Sequence, residues 1–165
     1  MIEKYKFRKY DKKYPELFRR EKIRLRKIIG GNPNIEHVGS TAVPNLGGKG
    51  VLDLMISVNK KEINKIKKQL EKAGYVFKES GGERDRLFFT KNYKHLGKIR
   101  VVHLQLTPRN SYIFKRMIKF RDCLIKDKQK REEYCQIKKQ AVKISNGDGK
   151  IYRKHKENFI KVNQK

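Results

Sequence analysis

The chain has 165 residues and carries 44 Lys and Arg against 17 Asp and Glu, a formal charge of +27. That length supports one domain with a proper core over residues 1–165 and is short for two; charged residues make up 37% and hydrophobic ones 36%, and the latter fall in periodic runs, which argues against a disordered chain. No apolar run is long enough to span a bilayer, the first residues lack the apolar core of a signal peptide, and Cys123 and Cys135 have no metal-ligand spacing, so a reduced, cytoplasmic protein with no membrane partner is expected.

A short arm alternates Ile2, Tyr5 and Phe7 with charge and leads to Pro15, which suits the first turn of a helix. Leu17, Phe18, Leu25, Ile28 and Ile29 recur near helical spacing up to Gly30-Gly31, a natural stop. After Asn32-Pro33-Asn34 comes a short apolar strand, residues 35–38. Gly39-Ser40-Thr41 bends the chain sharply, a loop with Pro44, Gly47, Gly48, Lys49 and Gly50 follows, and a second strand begins at Val51. That strand alternates cleanly: Leu52, Leu54, Ile56 and Val58 lie on one face, Asp53, Met55 and Ser57 on the other. One face is therefore core, and the other presents a carboxylate beside a Gly-Ser turn. Such a turn lets backbone N–H groups approach a phosphate, with the Ser40 and Thr41 hydroxyls as further donors. A strand carboxylate opposite it can hold a hard cation against that phosphate. A plain tight turn beside a strand-end carboxylate uses the same residue types.

Asn59 is placed to cap a helix whose apolar face is Ile63, Ile66, Leu70 and Ala73, ending at Gly74. Residues 75–77 start a strand, Ser80-Gly81-Gly82 interrupts, and residues 86–90 form the next strand. Residues 91–98 read as a polar hairpin connection, and residues 99–106 as a strand with Val101, His103 and Gln105 facing one way and Val102, Leu104 and Leu106 the other. From Thr107-Pro108 the period turns helical. Ser111 can cap a helix through Phe114, Met117, Ile118, Arg121, Leu124 and Ile125, a second runs through Tyr134, Ile137, Ala141 and Ile144, and a third carries Tyr152, His155, Phe159 and Ile160. The pattern predicts an α+β fold, a small mixed sheet with helices packed against it and a helical C-terminal half.

The stretch H-V-G-S-T-A-V-P-N-L-G-G-K-G-V-L-D-L, residues 37–54, resembles the signature of the GrpB-like family, H-x-G-S-T-x-V-P-x-L-x-x-K-P-x-x-D. The likeness continues through residues 83–89, 101–106, 120–124 and 152–160, nearly the whole chain. Membership of that family implies the nucleotidyltransferase superfamily and its fold. It is specific for the family and far less so for an activity.

The resemblance and the residues together nominate a site. Asp53 and Ser40 are the candidate catalytic residues, with Gly39, Ser40, Thr41, Lys49, Arg84 and Arg86 as candidate phosphate-binding residues. Superfamily enzymes carry a second carboxylate two residues after the first on this strand; here Met55 stands there, and a thioether cannot serve Mg²⁺. Glu36, Glu83 and Asp85 are the substitutes within reach of the sequence. Asp53, His37 and His103 would suit Zn²⁺ or Mn²⁺ better than Mg²⁺. The family has a second His in the later strand where this chain has Gln105, a poor transition-metal ligand. Arg121 and Asp122 are expected in a helix-to-sheet ion pair, and Tyr152 and Lys156 as packing and surface.

Two function classes follow. One is an enzyme that binds a nucleotide or phosphorylated small molecule with a divalent cation and transfers a nucleotidyl group to an acceptor. The other is a binding module for nucleotide or RNA, supported by the absent second carboxylate. The +27 charge draws polyanions, nucleic acid first, although lysines spread through every predicted helix also fit a lysine-rich composition.

Overall fold

A computed structural model describes residues 6–82 and 85–164. Helix α1 (Tyr14–Ile29) carries Pro15 in its first turn and buries Tyr14, Leu17, Glu21, Leu25 and Ile29 along one stripe. Strand β1 (Asn34–Val38) leads through a 3₁₀ turn at Ser40–Ala42 to β2 (Leu52–Val58). Helix α2 (Ile63–Lys72) follows a turn capped by the Asn59 side chain. Strands β3 (Val76–Phe77), β4 (Leu87–His95) and β5 (Lys98–Pro108) complete the sheet. Three helices end the chain: α3 (Tyr112–Lys126), α4 (Lys128–Ser145) and α5 (Gly149–Asn163).

The sheet order is β1-β2-β5-β4-β3, with β2 and β5 parallel and the other pairs antiparallel. The mixed α/β architecture is the one expected. Leu52, Leu54, Ile56 and Val58 meet Val102, Leu104 and Leu106 and the stripes of α1 and α2 in the main core. Burial of these aliphatic side chains, at roughly 1.5–3 kcal/mol each, fixes which face of β2 looks inward. Asp53 therefore lies on the opposite face, in register with Val38 on one side and His103 on the other. A second core of Val43, Leu46, Phe120, Leu124, Tyr134 and Phe159 joins the loop after the 3₁₀ turn to the three C-terminal helices.

Two details differ from the sequence reading. The polar run at 91–98 is not a long connection: β4 and β5 stay paired as far as His95 and Lys98, and only Leu96-Gly97 turns, both with positive φ. Alternate residues of an edge of that kind face solvent, so polarity alone did not mark a loop. In α4 the buried stripe is Tyr134, Lys138, Ala141 and Ser145, whereas Ile144 is 58% exposed. Ile137 packs against the second core as expected, and Lys138 beside it is buried, an inward lysine that takes part in the site described next.

Candidate phosphate-binding cleft

The turn after β1 sets the geometry. Gly39 has φ of 71°, a left-handed conformation that glycine adopts freely. A Cβ built there would lie 2.5 Å from Asp53 Oδ2. The backbone of the turn thus leans directly on the carboxylate, and Ser40 follows on a partly exposed corner. Beyond it, a Cβ on Gly48 would lie 2.4 Å from Ser40 Oγ and 3.4 Å from Lys138 Nζ. Gly48 is accordingly a spacer between a hydroxyl and an ammonium, and its own backbone pairs both ways with Arg8 of the N-terminal arm.

Lys138 is 2% exposed. Its ammonium donates to the Gly47 carbonyl and lies 5.0 Å from the centre of the Tyr134 ring. Among the described residues no carboxylate lies at ion-pair distance from it. Burial, then the neighbouring Lys156 charge, holds its pKa down to about 7, against weaker support from Cys135 and Asp53. Lys156 of α5 is held down to about 8 by burial and then by Lys49, with Asp53 opposing. Lys49 and Lys156 both lie over the buried Tyr152 ring, at 5.0 and 4.2 Å from its centre. Lys49 and Lys156 thus share one ring face, Lys156 also acts on Lys138, and Asp53 is the carboxylate whose charge reaches both helix lysines.

Asp53 and His103 are both a quarter exposed, with His103 Nδ1 3.3 Å from Asp53 Oδ1. Phe88 sets its edge against the His103 ring at 5.0 Å. Among the expected residues, Gly39, Ser40, Lys49, Asp53 and His103 are thus brought to one side of the sheet. His37 is not. It projects with Leu54 to the core face, stacks on Phe18 at 4.7 Å and bonds the Thr41 hydroxyl at 2.9 Å. Burial pushes its pKa down to about 4, so it sits there as neutral imidazole. Thr41 is 2% exposed and its hydroxyl is taken by His37, so it is not presented with Ser40. Arg86 donates to Gln105 Oε1 at 2.8 Å and to the Gly81 carbonyl, one row along the sheet from His103. Arg84, like Glu83, lies outside the described residues.

The donor set for a divalent cation is small. Met55 is fully buried, so a carboxylate at that position would have to leave water. Glu36 is engaged by Arg121 at 2.7 Å, the expected helix-to-sheet pair. Among the described residues no three His, Cys, Asp or Glu side chains are placed to share a metal. Asp53 and His103 alone do not make up a protein cage for Mg²⁺, Mn²⁺ or Zn²⁺. Two surface hollows of about 540 and 510 Å³ open elsewhere, one along α3 and one at the Asn59–Tyr112 end of the sheet.

Lys138 and Lys156 are the site residues that sequence reasoning passed over, the second being expected as surface. A signal for Lys138 existed: it falls four residues after Tyr134 and three before Ala141, on the apolar stripe of its own helix.

No helix among the described residues is long and apolar enough to cross a membrane. The family model described as GrpB protein matches residues 4–165. The UPF0157 protein YqkA of Bacillus subtilis is 30% identical over 155 residues, which are 93% of this chain and 44% of that protein. The chain thus spans less than half the length of that relative. The crystal structure of the conserved protein GrpB from Enterococcus faecalis superposes with a TM-score of 0.82 at 25% identity, over 96% of this chain and 94% of that one. The Cid1 poly(U) polymerase with MgGTP bound shows a partial likeness of fold, with a TM-score of 0.47 at 13% identity over 71% of this chain and 42% of that one.

Proposed function

The chain belongs to the GrpB family, and from that premise we propose that it binds a nucleotide or similar phosphorylated small molecule between the Gly39-Ser40 turn and helices α4 and α5. The observation that carries this reading is Lys138, an ammonium 2% exposed whose strongest charged neighbour is another lysine, Lys156. Removing such a charge from water costs several kcal/mol unless an anion compensates it. The Gly47 carbonyl and the Tyr134 ring face supply part of that compensation, and Lys156 works against it. A phosphate entering past Ser40 would supply the rest, meeting the lysines as point charges and the Ser40 hydroxyl as a donor. Displaced pKa values such as those of Lys138 and Lys156, beside the part-exposed Ser40, Asp53 and His103, are a known signature of functional sites.

A second reading, group transfer, is favoured by the pairing of His103 with Asp53. An imidazole with one nitrogen beside a carboxylate is oriented to accept a proton on the other. In this cleft that arrangement would serve transfer of a nucleotidyl group to a hydroxyl acceptor.

Thermal-shift titration with the four common nucleoside triphosphates and a short RNA tests the binding reading on wild type, Ser40→Ala and Lys138→Met. Wild type should be stabilised by at least one nucleotide, and both variants should respond less. No shift with any nucleotide, or variants that respond as wild type does, would remove the reading.

A further inference from the structure

Phosphate chains are usually neutralised by Mg²⁺ held on protein carboxylates. This cleft is built with the opposite balance of charge. Met55 is sealed into the sheet, Glu36 is tied to Arg121, and His37 faces the core. Apart from His103, the charged groups that feel Asp53 are cationic, Lys138 from α4 and Lys156 from α5, and Lys49 from the loop lies with Lys156 over the Tyr152 ring. We infer that these three lysines take the place of a divalent cation, so that the nucleotide binds as the metal-free polyanion. The inference rests on the binding reading above and adds to it how the ligand's charge is met.

The physical reason is Coulombic. A divalent cation brought to Asp53 enters the field of three ammonium groups, whereas a bare triphosphate enters it favourably. Mg²⁺ already chelated by the nucleotide cancels charge that the lysines would otherwise meet. Asp53 then plays no part in holding the phosphates; it flanks the Gly39 turn and orients His103. Its own negative charge opposes a phosphate nearby. Neutralising Asp53 should therefore help binding here, while the same change would abolish binding if Asp53 held a bridging cation.

Isothermal titration of the whole chain with ATP, once in excess EDTA and once in excess Mg²⁺, tests this. The expected result is binding in EDTA that Mg²⁺ does not tighten beyond about threefold, together with Asp53→Asn that binds in EDTA as tightly as wild type or more so. Lys156→Gln, at a partly exposed position, should weaken binding in EDTA about tenfold or more, and Lys138→Met should do the same. Binding seen only with Mg²⁺, tightening by Mg²⁺ beyond about threefold, or loss of binding in Asp53→Asn would overturn the inference while the nucleotide reading stood. Lysine variants that bind as wild type would also overturn it. No binding under either condition would remove both.

Discussion

Gly39 and Asp53 occupy one another's space: a Cβ on the glycine would stand 2.5 Å from Oδ2 of the aspartate, and the glycine backbone has φ of 71°. Two penalties therefore await Gly39→Ala, left-handed strain and a clash with the carboxylate. Strain of this kind costs about 1–3 kcal/mol. Urea unfolding should show a loss of at least that size. In an Asp53→Ala background the contacts with Oδ2 and Cγ are gone while the one with Cβ at 3.0 Å stays, so the penalty should shrink without reaching the strain alone, with non-additivity measured by the double-mutant cycle.

Lys138 gives the protein a pH dependence of stability at the alkaline side. Its folded pKa is held near 7, below its ordinary 10.5. The unfolded chain therefore binds more protons between those values, and stability rises with pH across that window, with a slope approaching about 1.4 kcal/mol per pH unit. The groups that face this ammonium are Tyr134 and Cys135 on α4, Lys156 on α5, Asp53 on β2 and Ser40 beyond Gly48. Lys138→Met, similar in volume and uncharged, should show a smaller rise, with the part above pH 8 that Lys156 contributes remaining, and be at least as stable as wild type at pH 7. Denaturant titrations at pH 7, 8 and 9 check it. A ligand anion favours the charged amine, so nucleotide affinity should fall as pH rises through 7 to 8.

His37 acts at the acid side with the same sign. Burial holds its pKa near 4, below its ordinary 6.5. The unfolded chain takes up the proton first, so the stability present above pH 6.5 is lost progressively as pH falls toward 4. His37→Gln should flatten this part of the stability curve while keeping a partner for Thr41. An unchanged slope between pH 6.5 and 4 would contradict the placement of His37 on the core face.

Arg121 fastens α3 to the sheet. It donates to Glu36 at 2.7 Å, to Asp122 at 2.9 Å and to the His37 carbonyl at 2.9 Å. Arg121→Ala strands Glu36 and an acceptor at the start of the turn, and should cost about 1.5–3 kcal/mol. Arg121→Lys should recover only part of this, since a single ammonium cannot reach three acceptors as a fork does. Unfolding midpoints of the two variants decide it.

The sheet and the helices were legible because their periodicity was clean: Leu52, Leu54, Ile56 and Val58 leave β2 one possible inward face, and that choice aims Asp53 outward. Gly39 and Ser40 were legible because they follow β1 directly, and Asp53 because it stands at the start of β2. The rest of the site depends on packing between elements far apart in the chain. Nothing local to Lys138 says that Gly47 will accept its proton across 91 positions. In a chain with so many lysines, one on an apolar stripe looks like compositional noise until the helix has been seated. His37 was misplaced by the reverse effect: it is two residues from Gly39, but strand alternation sends it to the face of Leu54 and Phe18. Thr41 follows it inward.

The most direct measurement is a crystal structure of the protein soaked with a nucleoside triphosphate analogue whose phosphate chain carries sulfur, located by its anomalous signal. The expected result is the triphosphate lying between Ser40, Lys49, Lys138 and Lys156, close to Asp53 and His103. A triphosphate found instead in the hollow along α3 or at the Asn59–Tyr112 end, with the lysine cleft vacant, would contradict the central claim.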